Sequence, residues 1–154
     1  MILGVDPGLT GALVFIGDEI ESIVMPKIGN ILNLAELSEI LEARRDKITH
    51  AYLESVHAMP KQGVSSSFKF GRVFGMAEAM LAAHKIPYTL VTPQAWQKVI
   101  HAGIEKSIEP KKRSLIAVTR LFPTTNLLAT ERSKVPHSGI VDALLIAEYG
   151  RRQA

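Results

Sequence analysis

The chain has 154 residues, 47% of them hydrophobic and 21% charged, the size and balance of one packed domain spanning 1–154. It has no cysteine, which excludes disulfides and thiolate-bound zinc, and no apolar run near the roughly 18 residues that a membrane span requires. The net charge of +3 is compatible with a polyanionic partner, and the opening MILGVD lacks the charged start and cleavage site of a secretory signal.

In chain order, Ile2 to Val5 and Ala12 to Ile16 read as a hairpin around the turn signal Pro7-Gly8, with a third strand near Glu19 to Met25. Asn33 to Lys47 is an amphipathic helix through Leu34, Leu37, Ile40 and Leu41, with Asn33 as N-cap and Glu36 as its capping-box partner. Ile48 to Glu54 is a fourth strand, Ala51 and Leu53 facing one side, Tyr52 and Glu54 the other. His57 to Ser65 reads as a loop. Ser66 to His84 has the stripe of a long helix, and Tyr88 to Val91 is a fifth strand. Thr92-Pro93 caps a helix through Ile100, another helix covers Pro110 to Leu121, and Pro123 to Pro136 reads as a mobile linker. A last helix runs from Ser138 to Arg151. The order predicts an α/β fold with a five-stranded mixed sheet, an antiparallel meander first and parallel additions after it.

Three carboxylates stand against apolar segments: Asp6 ends the first strand, Glu54 ends the fourth, and Asp142 opens the last helix before AlaLeuLeuIleAla. Singly, each has an ordinary reading, as a turn residue, a solvated strand end and a helix cap. Together, at the edge of a core, they are costly unless paired, hydrogen-bonded or bound to a cation. Oxygen ligands favour a hard ion, so Mg²⁺ is the expected cofactor with Mn²⁺ as a substitute. Two ions about 4 Å apart can clamp the attacking water and leaving oxygen of a phosphodiester, with Asp6 shared between them and Glu54 and Asp142 each holding one.

Positions 4 to 12, GlyValAspProGlyLeuThrGlyAla, resemble the opening of RuvC-type Holliday junction resolvases of the RNase H-like class. LeuGluSerValHis at 53 to 57 resembles their second acidic strand, and HisSerGlyIleValAspAlaLeuLeuIleAla at 137 to 147 their terminal acidic helix. PheLysPheGlyArgValPheGlyMetAla and ValThrProGlnAlaTrpGlnLys, between these, are similar to bacteriophage-type members. The resemblance implies an RNase H-like fold, a homodimer acting in a bacterial or phage-infected cytoplasm, and Mg²⁺-dependent nicking of four-way junctions to leave 5′-phosphate and 3′-hydroxyl ends. It implies four active-site residues, of which Asp6, Glu54 and Asp142 match three. The fourth normally precedes the last Asp as an acid or a His. Here Gly139 stands three before Asp142, leaving His137 and Ser138 as candidates. His137 is either an ion ligand, a group that positions water, or a loop residue before a helix cap.

Lys61, Lys69, Arg72, Lys106, Lys111, Lys112, Arg113, Arg132, Lys134, Arg151 and Arg152 make the second half of the chain basic. Any one of them can simply solvate a helix face, but Lys111 to Arg113 oppose a helix dipole at its start, a cost that phosphate binding would explain. His57 falls where the family tends to place an aromatic at the crossover, and Phe68 is a second candidate for stacking on bases. Gly71 and Gly75, four apart on one helix, imply a close backbone approach to the sheet or to a partner subunit. His50, His84 and His101 read as surface or capping residues. A sugar-kinase or actin-like ATPase shares the Asp6 to Gly11 turn but needs two such domains, so no nucleotide cofactor is expected. A non-cleaving branched-DNA-binding module, or a nuclease preferring flaps, forks or RNA–DNA hybrids, remains as an alternative.

Overall fold

The computed structural model describes residues 1–55 and 63–153. Strands β1 (Ile2–Asp6), β2 (Ala12–Ile16), β3 (Ile20–Val24), β6 (His50–Glu54) and β7 (Tyr88–Val91) form one mixed sheet in the order β3-β2-β1-β6-β7. The first three pair antiparallel, and β6 and β7 add in parallel on the other side of β1. Between β3 and the first helix lies a small hairpin, β4 (Lys27–Ile28) with β5 (Ile31–Leu32), that the sequence reading missed. Two residues per strand are too few to show a period of two.

Helix α1 covers Leu34–Glu42, stopping at Ala43, and a separate turn of 3₁₀ helix, Arg45–Lys47, replaces the expected final turns. The apolar stripe ends at Leu41, so nothing holds a continuation against the core. Asn33 caps α1 as expected: its Oδ1 accepts from the Glu36 N–H at 3.3 Å, and its Nδ2 donates to Glu36 Oε2 at 2.9 Å. Helix α2 is Val64–Ala83, α3 Pro93–Ile100, α4 Pro110–Leu121 and α5 Ser138–Arg151. Thr92 caps α3 through the Ala95 N–H, and proline opens both α3 and α4. Residues 123–136 contain no helix or strand.

Strand alternation divides the core in two. Leu3, Val5, Leu13, Phe15, Ala51 and Leu53 face α1 and α2. Ala12, Val14, Ile16 and Tyr52 face α3, α4 and α5. Helix α5 lies directly on β1 and β2, and Gly4 makes this possible: a Cβ there would stand 2.1 Å from the Ala143 carbonyl oxygen and 2.6 Å from the Ala147 nitrogen. Among the described residues, no helix is long and apolar enough to cross a membrane.

Candidate active site

The alternation that turns Leu3 and Val5 toward α2 turns Gly4 and Asp6 toward α5. On β6 it turns Tyr52 and Glu54 the same way. Strands β1 and β6 are parallel with Val5 opposite Leu53, so Asp6 and Glu54 end neighbouring strands one step further on, on the same face. That edge is the carboxyl end of the strands, where open α/β sheets bind ligands. Asp142 arrives from the second turn of α5.

The seating of α5 is set by another glycine. A Cβ on Gly139 would lie 2.5 Å from the Thr10 carbonyl oxygen and 2.6 Å from Gly11 Cα. The first turn of α5 therefore rests on the bare backbone of the β1–β2 turn. This explains why no acid stands three residues before Asp142: there is no room for a side chain.

The electrostatics couple the three carboxylates. Burial raises the Asp6 pKa, against a hydrogen bond of 3.2 Å that its Oδ1 accepts from the Gly8 N–H. Burial raises Glu54 to about 7, assisted by the charges of Asp6 and Asp142 and opposed by Trp96, whose Nε1–H donates to Glu54 Oε1 at 2.8 Å. Burial and the Asp6 charge raise Asp142 to about 6, opposed by the Ser114 hydroxyl and the Lys111 ammonium. A cleft of about 310 Å³ opens beside Asp142, lined by Lys111, Ser114, Leu115, Val135, Pro136 and Ser138 among others.

The remaining candidates are dispersed. His137 is the N-cap of α5: its Nδ1 accepts from the Ile140 N–H at 3.3 Å, and burial, with Lys27 nearby, lowers its pKa. Lys111 stands close enough to Asp142 to lower its pKa. Lys112 lines a shallow exposed groove on α4 with Leu115, Ile116 and Arg120. Arg113 departs from expectation: it is half-buried, its Nε is buried without a partner, and its charge acts on His101. Lys69 and Arg72 line a groove between α2 and the β4–β5 hairpin, away from the α5 face. Phe68 is 71% exposed, so it is no core aromatic. Lys106, Arg132 and Lys134 are exposed, whereas Arg151 and Arg152 both bond the buried Glu148. His57 and Lys61 lie outside the described residues.

Gly71 and Gly75 do not approach the sheet. A Cβ at either would meet nothing within 4 Å, because both sit on the outward side of α2. Of the histidines read as surface or capping residues, His84 and His101 are the C-terminal caps of α2 and α3; His84 also bonds Ser38 and Glu42, His50 bonds Thr89, and His101 is buried. Sequence reasoning missed Trp96, the hydrogen-bond donor to Glu54, and Ser114, which lines the cleft with Asp142.

The donors are of the type a hard divalent cation takes: carboxylate oxygens, partly buried and mutually repelling. Among the described residues, no three acidic or histidine side chains are grouped to enclose one ion by themselves. Ions shared between pairs of carboxylates, completed by water and substrate oxygens, suit such an open arrangement.

No family model matches the sequence, and no curated protein matches it. Solved structures do match. RuvC of T. thermophilus in complex with a Holliday junction substrate aligns with TM-score 0.65 at 16% identity, over 99% of this chain and 95% of that one. The T. thermophilus RuvC structure aligns at 0.59 and 16% identity, over 99% and 95%. The yeast mitochondrial Holliday junction resolvase Ydc2 aligns at 0.60 and 17% identity, over 98% of this chain and 77% of that one. Over nearly its whole length, the chain therefore has the RNase H-like fold of the RuvC-type resolvases.

Proposed function

We propose that this protein is a divalent-metal-dependent endonuclease that nicks branched DNA, four-way junctions foremost, by phosphodiester hydrolysis. The observation that carries this reading is that Asp6, Glu54 and Asp142, from three separate elements, come near enough for the charges of Asp6 and Asp142 to raise the Glu54 pKa and that of Asp6 to raise Asp142. Mutually repelling buried carboxylates destabilise a fold, and a bound dication relieves the repulsion. The resemblance in fold to proteins described as Holliday junction resolvases, one of them bound to a junction, supports the choice of substrate and a role in DNA recombination or repair.

Asp6, Glu54 and Asp142 would hold Mg²⁺, with Asp6 the shared ligand. When bound, the ions activate water and stabilise the charge that develops on the phosphate. Lys111, beside Asp142, would attract a phosphate to the cleft, and the exposed Phe68 would stack on bases. His137 spends Nδ1 as an acceptor from Ile140, so its neutral ring carries the proton on Nε2. That leaves it a donor, suited to orienting water or phosphate and unsuited to ligating an ion. A homodimer, with α2 turned outward at Phe68, Gly71 and Gly75, would set two sites against one junction for paired incisions.

The test is cleavage of a synthetic four-way junction beside a plain duplex, a fork and an RNA–DNA hybrid, in Mg²⁺ and in EDTA. Junction cutting in Mg²⁺ alone supports the proposal. Junction binding without cutting in any metal makes the protein a non-cleaving binding module, and preferential cutting of fork or hybrid reassigns the substrate.

A further inference from the structure

Trp96 is the one tryptophan of the chain, it is 1% exposed, and its Nε1–H donates to Glu54 Oε1 at 2.8 Å. The backbone brings it there. Strand β7 runs parallel to β6 with Val91 opposite Glu54, and the Ser55 N–H donates to the Val91 carbonyl at 2.7 Å. Thr92 follows at once as the N-cap of α3, its Oγ1 accepting from the Ala95 N–H at 3.3 Å, and Pro93 opens the helix. Helix α3 therefore starts beside Glu54, and Trp96 is its fourth residue. His101 stands edge-on to the indole, with ring centroids 5.6 Å apart at 76°. The imidazole is itself fixed by a hydrogen bond of 3.1 Å between Nε2 and the Ser114 hydroxyl of α4.

A buried indole N–H needs an acceptor, and any carbonyl oxygen would serve a tryptophan that only fills the core. Here the acceptor is a carboxylate at the same end of the sheet as Asp6, and a partly buried carboxylate is costly for a fold to keep. The bond makes sense through what it does to Glu54. Without an anchor, a flexible glutamate near Asp6 and Asp142 would turn away from their charges. An indole N–H carries no net charge and donates one bond, so it fixes Oε1 and neutralises nothing. A lysine or arginine in its place would hold the oxygen but occupy the charge that a cation needs. The restraint is mutual: if Glu54 swings out, the indole N–H is left buried without that acceptor.

We propose that Trp96 is a positioning residue for Glu54, a neutral buried donor that holds one carboxylate oxygen so that the group is presented to a divalent cation in a single orientation. The proposal rests on the metal-site reading above and names the support of one of its ligands. Partners that orient a ligating carboxylate typically change metal affinity by roughly 10- to 100-fold when removed.

Because the chain has one tryptophan, replacing that residue type throughout changes position 96 alone. The experiment measures Mn²⁺ binding to the full chain by calorimetry, without DNA, in the wild type and in two such forms. In one, benzothienylalanine puts sulfur where the indole has its N–H and keeps the shape of the ring. In the other, fluorotryptophan keeps the N–H. The benzothienyl form is expected to bind Mn²⁺ roughly tenfold or more weakly, and the fluoro form close to wild type. In the wild type, the single indole ¹H–¹⁵N resonance is expected to shift as Mg²⁺ saturates the protein. Parental Mn²⁺ affinity in the benzothienyl form overturns the proposal, and so does an equal loss in the fluoro form. An indole resonance that stays fixed while Mg²⁺ binds overturns it even if the benzothienyl form fails to fold. In each of these cases a wild type that binds the ion keeps its metal site and loses only the role of Trp96. A wild type that binds no Mn²⁺ removes the metal site and the positioning with it.

Discussion

Helices α5 and α2 pack on opposite faces of the same sheet and bury themselves to very different extents. Of the 14 residues of α5, ten are buried, because the helix lies between the sheet on one side and α3 and α4 on the other. Of the 20 residues of α2, three are buried, and Val64 and Phe68 stand largely in solvent. Glycine serves the two helices in opposite ways. Gly4 and Gly139 let backbone touch backbone around α5, whereas Gly71 and Gly75 leave open space on α2. The α5 face is closely packed and can hold a carboxylate in place. The α2 face is unfinished and can receive a partner.

The contrast predicts effects of decreasing size. Asp6→Asn keeps the acceptor for the Gly8 N–H but loses the charge, so junction cleavage should fall by on the order of a thousandfold, several kcal/mol of transition-state stabilisation. Junction affinity should stay close to wild type in a gel-shift assay. Equal loss of binding and cutting would mean that the α5 face holds DNA and does no chemistry on it.

Glu54→Gln should change the pH dependence of stability. In the metal-free protein the Glu54 pKa is raised from 4.5 to about 7. Between those values the folded state keeps a proton that the unfolded chain has lost, so stability falls as pH rises through the window. The full effect is on the order of 3 kcal/mol, and Asp142, raised to about 6, adds in the same sense. Urea denaturation in EDTA at pH 5 and pH 8 should show this loss, Glu54→Gln should reduce it, and Mg²⁺ should oppose it.

The two sets of glycines should respond with opposite signs. Gly4→Ala forces its methyl into the Ala143 carbonyl, and about 2 kcal/mol of destabilisation is expected from overpacking. Gly71→Ala and Gly75→Ala meet nothing and should each raise helix stability by about 1 kcal/mol. Thermal melts of the three variants test this. If the α2 variants also weaken self-association in analytical ultracentrifugation, the open face is a contact between subunits. Unchanged association would place any such contact elsewhere.

Much of the frame was legible because its signals are local. Thr92-Pro93, Glu109-Pro110 and His137-Ser138 mark where helices begin, and the observed α3, α4 and α5 start there. The five main strands and their order follow from apolar runs between turn residues. The carboxylates were found because each abuts a buried run. Their surroundings were not, because Trp96 bonds Glu54 from 42 residues away and the bonded pair His101 and Ser114, near Asp142, is 13 residues apart. No periodicity links such pairs. Gly139 read as a departure from a pattern until the Thr10–Gly11 backbone showed what a side chain there would strike.

Asp6, Glu54 and Asp142 come from the start, the middle and the far part of the chain, and Asp142 reaches the other two only when α5 docks on β1 and β2. A polypeptide synthesised only as far as α4 has two of the three acids and no means of bringing in the third. Such long-range closure comes late in folding, once the sheet exists to receive the helix. The proposed cleavage of DNA would then be withheld from every growing or half-folded copy, with no separate inhibitor needed.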